Sequence, residues 1–289
     1  MGRVTGRIPR SFCISANLNY NSPSMGLFGK QIIFVMDFKM SWVLNTTPMY
    51  RIMSLKWFMV MIKEKCNTLV RPSLWEDPYE TNYSNSVIAT EKGDIPLCAS
   101  KWFGQCWSLC EESAIMWQAF KKTDDPYVKI KVEPNDLIMG LKKQDNNLRI
   151  GILDYIRYFE PTINDYREKL EDVITMHKWP DNFINRGISL AELYPLYNLL
   201  TKREVFKHEE EVRLLLFDNS SSEEQTSVSY SFDPTTIDEV VVAPWTSLDN
   251  NKFKQTVMEL RLNLPSQTTE IRKSEIYCNS SKFATRYIK

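Results

Sequence analysis

An α+β domain is predicted: a single unit built on a mostly antiparallel, mixed sheet flanked by helices. Three observations carry that expectation. Of the 289 residues, 43% are hydrophobic and 12% aromatic, enough to build a sizeable core. Short runs of strand period, such as 127–132 and 211–217, are interleaved with stretches of helical period. The two kinds do not follow the regular β-α order that makes a parallel sheet. Residues 1–39 carry no such pattern and read as an irregular N-terminal extension; residues 40–289 read as the single domain.

The pattern begins at MYRIM (49–53), which fits a short strand. Ser54 is placed to cap a helix whose apolar residues recur at Leu55, Phe58, Met59 and Ile62. TLVRPS (68–73) reads as extended and ends at Pro72, and WEDPYE (75–80) reads as a turn because Asp77 precedes Pro78. FGQCWSLC (103–110) reads as a strand. Ser108 is then expected to cap a helix over 109–120, with Glu111 at capping-box spacing and Ile115, Met116, Ala119 and Phe120 as its apolar face. A turn and a strand follow at DDPYVKIKVEP (124–134), and another strand at RIGILDYIRYF (149–159). Residues 164–203 read as helical, interrupted at Pro195. Strands are expected at 211–217, 227–232 and 237–244, a helix over 247–265 and a last strand over 270–277.

Bulk properties narrow the function classes. Lys plus Arg and Asp plus Glu both total 36, so bulk charge gives no nucleic-acid signal. The greasy run 42–62 is broken by Arg51 and Lys56, so no membrane span is expected and the chain reads as cytoplasmic. The six Cys form no C-x-x-C pair and only His177 and His208 could join them, so no metal is expected; the thiols read as reduced and buried. Absence of H-E-x-x-H, Walker and G-x-G-x-x-G patterns argues against zinc proteases, P-loop NTPases and Rossmann dehydrogenases.

Five segments, SLWEDPYE, CWSLCEESAIMW, KREVFKHEEEVRLLLF, EVVVAP and KSEIY, occur in an order that resembles the bacterial family called domain of unknown function 2971. The resemblance runs from about Met49 to Tyr277, and it departs at Phe206, where Trp is usual, and at Ala119–Phe120, where a polar pair often stands. It implies a setting in bacterial antiviral defence, with a macromolecular target or a defence-system partner, and it implies no mechanism. A second, weaker likeness is one of layout: Arg51, then Ser108, then Glu209 or Glu211 follow the Arg–Ser–Glu order of ADP-ribosyltransferases. That likeness implies NAD as substrate and an effector or toxin activity.

The residues themselves carry two readings at each place. Glu209, Glu211 and Arg213 on one strand would share a face, with Arg213 compensating two carboxylates that can stabilise a ribosyl cation. On a helix end, Glu209 and Arg213 would instead be an ordinary surface pair. Tyr50 and Arg51 sit in an apolar strand, where the guanidinium can grip a phosphate or carboxylate, or pair with Asp77 or Glu80. Trp75, Asp77 and Glu80 form either a rigid turn or part of a site. Ser108 is a cap or a hydroxyl that orients a ligand. His208 beside Glu209 is an acid or base, or a bystander.

The stretch 101–120 crowds three Trp, two Phe and two Cys into twenty residues. It reads mostly as core between a strand and the following helix, with Trp107 and Trp117 also able to line a pocket and stack on a planar ring. Two further readings compete with an NAD-cleaving enzyme. One is a non-enzymatic module that binds a ligand or partner; the other is a nuclease in which Asp77, Glu80, Glu209 and Glu211 hold Mg²⁺.

Overall fold

The computed structural model describes residues 47–137 and 199–277, apart from 78–79, 81–86, 91–92, 97–99, 122 and 124, together with 33–34, 148–152, 154–156 and 195. The predicted α+β class is what it shows. A short strand β1 (Ile33–Phe34) is followed by β2 (Met49–Ser54) and α1 (Leu55–Glu64). Ser54 caps α1 as its position predicts, its Oγ accepting from the Trp57 N–H, and Leu55, Phe58, Met61 and Ile62 are buried. Lys65 ends the helix in the left-handed region at φ 50° and turns the chain into β3 (Cys66–Val70).

A separate hairpin pairs β4 (Val87–Thr90) with β5 (Gly93–Pro96). Then come β6 (Trp102–Ser108), α2 (Ala114–Phe120), β7 (Tyr127–Val132), β8 (Leu148–Ile152), β9 (Asp154–Ile156) and β10 (Thr201–Arg203). A 3₁₀ segment, Glu204–Glu209, leads into β11 (Glu211–Phe217), followed by β12 (Ser227–Ser231) and β13 (Ile237–Val242). The chain closes its described part with α3 (Pro244–Leu248), α4 (Asn250–Asn263) and β14 (Glu270–Lys273).

Among the described residues the main sheet runs β1-β8-β11-β6-β2-β7-β13-β14, with β3 and β12 attached beside β6. β1–β8 and β13–β14 are parallel and the other pairs are antiparallel. β6 is the branch point. One edge pairs with β11 along its whole length, from Ser108 opposite Glu211 to Trp102 opposite Phe217. The other edge is shared: Gly104 pairs with Val70 of β3, and Ser108 with Tyr50 of β2.

Alternation sorts the side chains onto two faces. Phe103, Trp107, Val212, Leu214 and Leu216 join Met49, Phe58 and Ile130 in the larger core. Ile52, Trp117, Tyr127 and Val241 form a smaller core on the other face, beneath α2. Most of the aromatic crowding in 101–120 is core as expected, with Trp102, Phe103 and Trp117 fully buried.

Several boundaries differ from expectation. The helix after β6 begins at Ala114 with Ser113 as its cap, and Ser108 is the last strand residue. The β6–β11 ladder runs on past Ser108 through a Leu109 N–H to Glu210 carbonyl bond of 2.9 Å, and Lys129 Nζ binds the Glu111 carbonyl, so 109–113 are held out of the helix. Residues 201–203, expected at a helix end, are a strand paired with β9. The single helix expected over 247–265 is two, because Asp249 is extended and accepts from the Asn251 and Lys252 N–H groups to start α4 afresh. Ile33 and Phe34 pair with Arg149 and Ile150, while the rest of the expected extension and most of the expected helical stretch 164–203 lie outside the described residues. No helix among the described residues is long and apolar enough to cross a membrane.

Candidate functional site

A cavity of about 540 Å³ opens on the α2 face of the sheet, a size typical of small-molecule sites. Its wall draws on the early, middle and late chain: Tyr50, Arg51, Trp75, Asp77, Glu80, Trp107, Ser108, Trp117, Glu209 and Glu211 all line it. Strand register explains part of the meeting. Ser108 stands opposite both Glu211 and Tyr50, and Cys106 stands opposite Arg213, so β2, β6 and β11 present these five residues to one face, whereas Arg51 and Trp107 alternate to the other face, where Trp107 belongs to the larger core.

One end of the cavity is charged. Arg213 is fully buried; its Nε donates to Glu211 Oε1 at 2.7 Å, its Nη2 to Glu80 Oε1 at 2.5 Å and its Nη1 to the Leu199 carbonyl at 2.6 Å. The Trp75 ring covers this guanidinium at 4.2 Å. Trp75 gets that close because Gly104 lies beneath it: a Cβ there would stand 2.7 Å from the indole. Lys202 Nζ lies 2.6 Å from Glu209 Oε2, 2.9 Å from Glu211 Oε2 and 3.4 Å from Glu80 Oε1, with the Phe206 ring 4.9 Å away. Asp77 takes Arg203 through both carboxylate oxygens, at 3.0 and 3.2 Å.

These contacts pull the two late carboxylates apart in acidity. Burial opposes ionisation of Glu211, but Arg213 and Lys202 outweigh it and hold the carboxyl down at about 2; the Cys106 thiol also hydrogen-bonds it. Glu209 goes the other way: burial and the neighbouring Glu211 push it above the ordinary carboxylate value despite Lys202. Lys202 is held firmly protonated, since its three carboxylate neighbours overcome its burial. Burial and Glu211 together raise the Cys106 thiol.

Glu209 does not share a strand face with Glu211. It ends the 3₁₀ segment, Glu210 follows in the left-handed region at φ 43°, and β11 starts only at Glu211. The two carboxylates meet through Lys202 instead, so the compensating cation is a residue the sequence did not single out. Arg213 compensates Glu211 and Glu80 and lies behind the cavity wall.

Ser108 Oγ donates to the Glu209 carbonyl at 2.5 Å and accepts from the Cys110 N–H at 3.0 Å, so it pins the backbone that carries Glu209. Arg51 pairs with neither Asp77 nor Glu80. Its Nη1 donates to Asn67 Oδ1 at 3.2 Å and its guanidinium lies 5.9 Å from the Trp107 ring, with burial lowering its pKa. Asn67 belongs to a buried polar layer with Gln105, Tyr230 and the Trp107 Nε1.

On the far wall, Lys129 sits 4.7 Å over the Tyr50 ring, and burial with Glu111 pushes the Tyr50 hydroxyl up to about 12. Trp117 donates to Glu112 Oε1 at 3.1 Å and meets Trp245 edge-on at 5.8 Å. His208 contacts the Val205 carbonyl at 3.2 Å and is not on the wall.

No family model and no curated protein matches the chain, so membership of the domain of unknown function 2971 family is not confirmed. Solved structures of DarT from Thermus sp. 2.9 are similar to it in backbone course at 10% identity. The complex with NAD+ has a TM-score of 0.35, covering 79% of this chain and 96% of that one. The complex with carba-NAD+ has a TM-score of 0.33 with the same coverage, and that with ADP-ribosylated ssDNA 0.35 with 94% of that chain covered. The chemistry of the cleft is therefore read from its own residues.

Asp77, Glu80, Glu209 and Glu211 all line the cavity, but among the described residues no three of them are grouped to hold a metal ion as the nuclease reading requires, and each is met by Arg203, Arg213 or Lys202.

Missed in the sequence were Lys202, Cys106 as a partner of Glu211, and Lys129. Lys202 precedes Glu209 and Glu211 by seven and nine residues, and no single strand or helix period puts all three on one face.

Proposed function

We propose that this cleft cleaves the nicotinamide–ribose bond of NAD and passes the ADP-ribosyl group to water or to a macromolecule. The observation that carries the reading is the pair Glu209 and Glu211, set at one end of an aromatic-walled cavity with their acidities driven in opposite directions. Such a split assigns roles. Glu211, ionised at any working pH, would stabilise the oxocarbenium-like ribose that forms as the C1′–N bond breaks. The bonding pair leaves with the ring nitrogen, so the pyridinium departs as neutral nicotinamide. Glu209, the weaker acid, would take the proton from the incoming hydroxyl as its oxygen bonds to C1′. Ser108 would keep Glu209 in place. In the setting the sequence resemblance implies, the enzyme would serve as an effector in bacterial defence.

Incubating the protein with NAD, with and without cell extract, tests this. Nicotinamide release is expected; its absence under both conditions would count against the reading.

A second reading has its own support: Glu211 is met by Arg213, Lys202 and Cys106 together, which is also how an ion-paired ligand-binding wall is built. A binding module would hold NAD, or another ligand that carries a cationic ring, without turnover.

A further inference from the structure

The geometry points to Lys202 as a tethered stand-in for the ligand's positive charge: its ammonium occupies a cation seat made by Glu209, Glu211 and the Phe206 ring, and a cationic ring must displace it to bind. The inference rests on the functional reading only for which cavity the ligand enters.

The seat has the form of a cation receptor. Two carboxylate oxygens lie 2.6 and 2.9 Å from Nζ, a third at 3.4 Å, and an aromatic face 4.9 Å away. A pyridinium ring offers the same charge to the carboxylates and a flat face to Phe206.

Among the described residues Lys202 and Arg213 meet these carboxylates, while Arg203 pairs with Asp77 and lies 5.0 Å from the Phe206 ring; Lys202 and Arg213 differ in how they are held. Arg213 is fully buried, is clamped under Trp75 and spends a third bond on the Leu199 carbonyl. It belongs to the framework. Lys202 is 10% exposed, lies on the cavity wall and reaches the carboxylates at the end of a flexible four-carbon stem. Glu209 beside it is 20% exposed, so the seat opens toward the cavity.

Displacing Lys202 leaves no buried charge unpaired only when the incoming group is itself a cation. A neutral ring would strand the carboxylates. Lys202 thus works as a specificity-determining residue: it competes with any cation for the seat, and a neutral ring, which cannot replace its charge, gains nothing from its removal.

The test uses 1-methylnicotinamide, a pyridinium with no glycosidic bond to break, and neutral nicotinamide. Binding is read by quenching of tryptophan fluorescence, so the outcome does not depend on turnover. Lys202→Met should bind the cation about tenfold or more tightly than the unaltered protein, a shift of about 1.4 kcal/mol or more. Lys202→Arg, which keeps a charge in the seat, should not gain. Nicotinamide binding should change by less than about twofold in either variant. Equal or weaker cation binding by Lys202→Met, or an equal gain for nicotinamide, overturns the inference.

The unaltered protein gives an independent measurement should Lys202→Met not fold. Reductive methylation of Lys202, followed by mass spectrometry, should be slow in the free protein and faster with saturating 1-methylnicotinamide. A rate unchanged or slowed by the probe overturns the inference equally. Loss of NAD cleavage alone would touch the functional reading and leave these results standing.

Discussion

Arg213 and Glu211 stand two residues apart on β11, and the Nε of one donates to the carboxylate of the other at 2.7 Å while Nη2 reaches Glu80 at 2.5 Å. Strand alternation puts both on one face, and the fork of the guanidinium ties the turn around Trp75 and Asp77 to the middle of the sheet.

Removing that guanidinium leaves two buried carboxylates without their main partner. Arg213→Met should cost about 3–5 kcal/mol and lower the melting temperature sharply. Arg213→Lys should recover only part of it, since an ammonium cannot make the same fork. Thermal or denaturant unfolding measures both.

Gly104 is the other half of that clamp. Gly104→Ala drives a methyl group into the Trp75 indole and the Leu215 side chain. A loss of about 1–3 kcal/mol is expected, with a shift in tryptophan emission as Trp75 moves off Arg213.

Acid should act through Glu211. Its carboxyl is held at about 2 against an ordinary 4.5, so its stabilising contribution is complete above about 4.5 and is lost as pH falls toward 2. Denaturant unfolding between neutral and acid pH should show the native protein losing more stability on acidification than Glu211→Gln does.

The activity profile should instead report Glu209. Because its carboxyl is raised, cleavage to a hydroxyl acceptor should increase as pH rises through a value above 4.5, and Glu209→Gln should abolish that limb. A limb at the same pH in Glu209→Gln would assign the proton transfer elsewhere.

Ser108 links backbone to function. Ser108→Ala removes the bond to the Glu209 carbonyl, and the turnover rate should fall with little change in binding. Ser54→Ala, which removes only the α1 cap, should cost about 1 kcal/mol of stability and leave turnover alone.

Local signals were legible in the sequence and long-range ones were not. Ser54 and the spacing of Leu55, Phe58 and Ile62 predict α1 because cap and apolar stripe are both local. The same logic misplaces the start of α2: Ser108 and Glu111 have capping-box spacing, but a ladder bond from Leu109 and the ammonium of Lys129 hold that segment extended. Glu211 and Arg213 share a face as alternation predicts, whereas Glu209 is cut off by the left-handed Glu210. Lys202 carries no local signal at all. Its place is set by the pairing of β10 with β9, which brings its Nζ to both carboxylates.

The most direct test of the proposed chemistry compares nicotinamide release from NAD by the native protein, Glu211→Gln and Glu209→Gln, each with its melting temperature recorded. The account predicts release by the native protein and at least about a hundredfold loss in Glu211→Gln while that variant still melts cooperatively. Release undiminished in Glu211→Gln would contradict it, because no other group in the cleft is assigned to meet the ribosyl cation.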